Sequence, residues 1–127
     1  EYEQIYKKQF EKYQLENIFL ITPQTSPERI QKIDELSNSF IYVVSSNSIT
    51  GGKSNIADAQ IQYFQRIKDM QLKNPTVIGF GIKDKSTFDT ACMYANGAII
   101  GSAFVQAIDK SKDLKNDVSN FIKQIKS

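Results

Sequence analysis

The chain has 127 residues, of which 40% are hydrophobic, and a mean hydropathy of −0.39, values that describe one compact soluble unit and exclude a membrane span. Sixteen Lys and Arg against fourteen Asp and Glu leave a net charge of +2, too small and too evenly spread for a nucleic-acid binder. Histidine is absent, which removes Ser-His-Asp and Cys-His nucleophile activation, imidazole-ligated zinc and the usual near-neutral proton shuttle, and the single Cys92 removes an internal disulfide.

The opening EYEQIYKKQFEKY carries Tyr2, Tyr6, Phe10 and Tyr13 at spacings of four, four and three, which predicts one apolar stripe on a helix ending near Tyr13. It begins with Glu1 and holds neither an apolar signal core nor a basic leader, so the expectation is a cytoplasmic protein and a piece of a longer chain. Asn17 to Thr22 is a short, continuously apolar run closed by Pro23, the pattern of a strand buried on both faces. Ser26 as cap, Pro27 at the first helical position and Glu28 at the positive dipole end start a second helix, with Ile30, Ile33 and Leu36 on its buried face.

Phe40 to Val44 repeats the strand pattern and leads into a long polar loop, Ser45 to Asn55, containing Gly51-Gly52. A helix from about Ile56 to Met70 places Ile61, Phe64 and Ile67 on one side. Pro75 to Gly81 is a third strand ending in glycines, followed by a helix with Phe88, Ala91, Cys92 and Ala95. Gly97 to Ile100 is a fourth strand ending in Gly101-Ser102, and a charged terminal helix carries Phe121, Ile122 and Ile125. Strict alternation of this kind predicts an α/β fold with a parallel sheet and right-handed crossovers, forming one structural unit over 1–127. An open doubly wound sheet and half of an eight-stranded barrel both satisfy the periodicity.

Gly79, Gly81 and Gly101 fall at the carboxyl ends of predicted parallel strands, and Gly51 lies in the loop after another. Ligands of parallel α/β folds bind at that end, where glycine lets backbone N–H groups approach an anion. The helix start after Gly101 adds a positive dipole end and the Ser102 hydroxyl, so together these residues predict a phosphate cradle built from backbone rather than from Arg or Lys. Tight turns alone would account for Gly79 and Gly81, and a helix C-cap for Gly97. Tyr42 suits core packing or a pocket wall, and Phe80 suits either the core or an apolar wall against an aromatic ligand. Cys92 reads as an inert buried thiol, and the lysines from 110 to 126 as a solvated surface. No carboxylate stands immediately at a strand's carboxyl end, so neither an acid/base pair nor a metal site is expected from the residues.

The segments NIFLITPQTSPERIQKI (17–33), FIYVVSSNSITGGKS (40–54), PTVIGFGIKDKSTFDTA (75–91) and GAIIGSAFV (97–105) together resemble the carboxyl-terminal half of the tryptophan synthase alpha chain. That resemblance implies the carboxyl-terminal half of a TIM (β/α)8 barrel, strands five to eight of the parent. It implies cleavage of indole-3-glycerol phosphate to indole and glyceraldehyde 3-phosphate, a carbon–carbon lyase reaction without a cofactor in the alpha chain, in partnership with a beta chain that uses pyridoxal phosphate. Gly51, Gly79, Gly81, Gly101 and Ser102 would then bind the substrate phosphate. Phe80 would lie against the indole ring, Tyr42 would line the pocket, and Thr50 would be the lid residue that meets a catalytic aspartate on closure. The family's acid/base glutamate and activating aspartate belong to the other half of the barrel, so the chain alone is expected to be inactive. Ser46 stands where the family often has a basic residue, which removes that lid charge. Unpaired edge strands and an uncovered interior face are expected to drive self-association. The alternative is a stand-alone phosphate-ligand binding or regulatory half barrel without catalysis.

Overall fold

The computed structural model describes residues 1–45 and 58–127. A π-type turn over Tyr2–Tyr6 leads into helix α1 (Lys7–Lys12), and three further helices, α2 (Pro27–Leu36), α3 (Asp58–Asp69) and α4 (Lys85–Tyr94), alternate with strands β1 (Leu20–Ile21), β2 (Ile41–Val44), β3 (Thr76–Gly79) and β4 (Gly97–Ile99). Helices α5 (Ser102–Ile108), the short helix expected after Gly101, and α6 (Leu114–Lys126), the charged terminal helix, close the chain. The sheet has the order β1-β2-β3-β4 and every pairing is parallel.

The register divides the sheet into two unlike faces. Directly paired residues of parallel strands point the same way, so Ile21, Val43, Ile78 and Ala98 share one face and Leu20, Tyr42, Val77 and Gly97 share the other. Ile21, Ile41, Val43 and Ile78 are buried and pack in one cluster with Ile30 and Ile33 of α2, Phe64 and Ile67 of α3, and Ala91 of α4. Each large side chain in that cluster stabilises the fold by about 1.5–3 kcal/mol. On the opposite face Tyr42, Val77 and Gly97 are only half-buried. The run around β1 is therefore not buried on both sides as expected, because Ile21 lies under the helices at 0% exposure while Leu20 remains 56% exposed.

Local chemistry sets the element ends. Ser26 Oγ accepts from the Arg29 N–H at 3.3 Å with Pro27 at the first position of α2, as its sequence predicts. At the start of β3, buried Asp34 accepts from the Lys73 and Asn74 N–H groups at 2.8 and 3.0 Å, and Asn96 Oδ1 accepts from the Thr76 N–H at 3.0 Å. Tyr63 of α3 donates its hydroxyl to the Ile21 carbonyl at 3.0 Å, and burial pushes its pKa upward. The aromatic stripe at the start is only half used. Tyr2 meets Phe10 and Phe19 edge to face, whereas Tyr6 and Tyr13 stay exposed. Ile122 of α6 is also exposed, and Cys92, expected in the core, lies on the solvent side of α4 beside buried Ala91. Gly97 opens β4 and caps no helix, the C-cap of α4 being Ala95.

Candidate functional site

A hollow of about 510 Å³ opens at the carboxyl ends of β2, β3 and β4. Tyr42, Phe80, Gly81, Gly101 and Ser102, all singled out by sequence, line it together. Gly79 is close by but serves differently. A Cβ built there would fall 1.9 Å from the Tyr42 Oη, so glycine at 79 is what lets the Tyr42 ring lie across the end of β3. Gly51 and Thr50 belong to 46–57, outside the described residues.

The turn after β3 carries the site's distinctive backbone. Phe80 has φ 67° and Gly81 φ 71°, so two successive residues are left-handed and one of them is aromatic. Such a conformation costs a non-glycine residue on the order of 1–3 kcal/mol. Buried Ser45, immediately after β2, helps hold it. Its N–H and hydroxyl both donate to the Gly79 carbonyl, at 3.0 and 2.8 Å, and its hydroxyl also lies against the Phe80 carbonyl. The Tyr42 and Phe80 rings meet edge to face with centroids 6.0 Å apart. A hydrogen bond contributes about 1 kcal/mol and an aromatic pair about 0.5–1.5 kcal/mol, enough to offset the strain. The result leaves Phe80 51% exposed and directed at the hollow instead of the core.

The hollow is apolar on one side and polar on the other. Tyr42, Phe80 and Ile99 form the apolar wall, and partial burial raises the Tyr42 pKa, so its hydroxyl is protonated at neutral pH. Gly81, Gly101, Ser102, Lys83 and Gln106 form the polar end. A Cβ at Gly101 would meet nothing within 4 Å and its φ is −106°, so neither neighbours nor conformation within the described residues demand glycine there. Helix α5 begins at Ser102 without a side-chain cap, leaving the first-turn N–H groups at the polar end uncapped. None of the described lining residues is a carboxylate, so they can grip an anion and an adjoining flat apolar group but offer no carboxylate acid or base.

The family model described as tryptophan synthase alpha chain matches residues 1–127. The chain belongs to that family. The tryptophan synthase alpha chain of Christiangramia forsetii is 52% identical over 126 residues, covering 99% of this chain and 48% of the relative. That of Flavobacterium psychrophilum is 52% identical over 124 residues, covering 98% and 48%. A solved structure of tryptophan synthase subunit alpha from Campylobacter jejuni superposes with a TM-score of 0.75 at 26% identity, covering 94% of this chain and 47% of that one. The chain thus spans about half the length of the tryptophan synthase alpha chains it matches, and its parallel sheet with helices on one face is part of their TIM-barrel fold.

Sequence reasoning overlooked two residues here: Ser45, which holds the turn beside the hollow, and Lys83, which lines it. Ser45 was legible as the first polar residue after a buried strand, the position that meets the neighbouring strand end. Lys83 was legible as the first charge after the GFGI turn, but the emphasis on backbone donors passed over it.

Proposed function

We propose that this chain is the carboxyl-terminal half of a tryptophan synthase alpha barrel, supplying strands five to eight, and that it provides the phosphate grip and lid for cleavage of indole-3-glycerol phosphate to indole and glyceraldehyde 3-phosphate. The observation that carries this reading is the convergence of three strand ends on one hollow, with Gly81, Gly101 and Ser102 at its polar end and Phe80 and Tyr42 on its apolar wall. A phosphate seats against the polar end and the indole ring against Phe80. Gly79 serves the phosphate only indirectly, by admitting Tyr42. Gly51 and Thr50 complete the phosphate contacts and the lid, and lid closure excludes water from the reacting centre.

The carbon–carbon lyase chemistry then requires an acid/base glutamate and an activating aspartate from the part of the relatives this chain does not span, and the product indole passes to a beta chain. The bare face of the sheet supports a further consequence. Leu20, Tyr42 and Val77 on that face are apolar, and β1 and β4 are free edges among the described residues, so copies of the chain associate to cover them. The test is release of indole from indole-3-glycerol phosphate by the purified chain, alone and mixed with a polypeptide spanning the remainder of the Christiangramia forsetii relative. Turnover is expected only in the mixture. Turnover by the chain alone, or none from a folded mixture, would overturn the reading.

A further inference from the structure

Among the described residues lining the hollow, Lys83 carries the only formal charge. Its sequence neighbour Asp84 is committed elsewhere. The Asp84 carboxylate accepts from the Thr87 N–H at 2.9 Å and from the Thr87 hydroxyl at 2.7 Å in the capping box of α4. No carboxylate lies within ion-pair distance of the Lys83 ammonium among the described residues, in contrast to Lys85, which pairs with Asp89 at 2.9 Å.

The base of the Lys83 side chain is also anchored. Thr87 Oγ1, almost completely buried, accepts from the N–H groups of both Lys83 and Asp84, at 3.0 and 3.1 Å. The capping network of α4 therefore pins the backbone from which the exposed Lys83 side chain extends, and the Lys83 charge also acts on the nearby Asp84 carboxylate. An ammonium on a flexible stem acts as a mobile point charge and suits a phosphate whose oxygens are already held by neutral donors.

We propose that Lys83 is the specificity-determining charge of this hollow, selecting a doubly ionised phosphate ester over its uncharged counterpart. The neutral donors at Gly81, Gly101 and Ser102 fix where an oxygen sits but distinguish weakly between charge states. Lys83 adds a Coulombic preference that salt screens. The inference rests on the phosphate reading given above.

The experiment titrates the chain with glycerol 3-phosphate and with glycerol, following amide chemical shifts, at about 0.02 M and about 0.2 M salt, where the screening length falls severalfold. The wild type is expected to bind the ester and not glycerol. Lys83→Gln is expected to weaken ester binding roughly threefold to tenfold at low salt and to flatten the salt dependence, with Lys83→Arg retaining both and Lys85→Gln changing neither. Unchanged affinity and salt dependence in Lys83→Gln, or an equal loss in Lys85→Gln, overturns the role of Lys83 and leaves the phosphate site standing. Equal binding of ester and glycerol by the wild type overturns both.

Discussion

The two faces of the sheet follow the same strands and the same alternation, yet they live in different environments. Ile21, Ile41, Val43 and Ile78 are sealed beneath α2, α3 and α4, whereas Leu20 is largely exposed and Tyr42, Val44, Val77 and Ile99 are half-buried. Both sets are apolar. A surface sheet would alternate apolar with polar residues, and this one does not, because in a (β/α)8 barrel the inward residues of all strands fill the interior in layers. The difference teaches that the bare face corresponds to the one turned to the barrel interior in the related structures. It also separates residues that stabilise this unit alone from residues that matter only when the interior is filled.

The largest effect should expose that asymmetry directly. Phe64, on the helix side and 1% exposed, is expected to cost about 3–5 kcal/mol when replaced by alanine, because a cavity opens in the sealed core. Leu20→Ala on the bare face should change stability by less than about 0.5 kcal/mol at concentrations where the chain is monomeric, and by more as copies associate. Urea unfolding at several protein concentrations checks the pair. A Leu20→Ala loss that grows with concentration would show the bare face covered by another copy, and a loss as large as that of Phe64→Ala in a monomer would break the distinction.

A smaller effect tests how the site grows out of the bare face. The Tyr42 ring occupies the space a side chain at Gly79 would need, so Gly79→Ala should cost about 1–3 kcal/mol by overpacking. Removing the ring removes the conflict. In Tyr42→Ala the added cost of Gly79→Ala should fall by at least about 1 kcal/mol, a coupling read from a double-mutant cycle of unfolding free energies. Additive losses would mean that Tyr42 already leaves β3 in solution.

Most of the fold was legible, and for a physical reason: β2 and β3 are continuous apolar runs between capped helices, and parallel pairing follows once helices alternate with them. The boundaries of β1 and the fate of Cys92 were not. Apolar residues at 18 and 19 read as strand although the ladder holds only Leu20 and Ile21, and Cys92 sits one position beyond buried Ala91, a rotation that sends it to solvent. At the site, Phe80 and Gly81 were legible as residues, but the left-handed backbone at an aromatic was not, since it depends on Ser45 reaching across from β2. Gly79 illustrates the same limit. Its position at a strand end suggested an anion, while its neighbour across the sheet gives it a steric task.

The smallest effect concerns the corner that positions Lys83. Asp84 has its pKa lowered chiefly by the backbone hydrogen bond from Thr87, with the Thr87 hydroxyl and the nearby Lys83 charge acting in the same direction. A carboxyl whose folded pKa lies below its unfolded value, near 4, adds stability above that value and loses it as pH falls through the unfolded and then the folded pKa. Asp84→Asn keeps a capping oxygen but removes the charge, so at neutral pH it should cost only about 0.5 kcal/mol, reduced by solvent screening. Thermal midpoints of the two proteins should therefore differ slightly near pH 7 and converge as the pH falls through the unfolded and then the lowered folded pKa of Asp84. A gap that stays constant across that range would mean the cap works through geometry alone, and the corner beneath Lys83 would then hold its shape in acid.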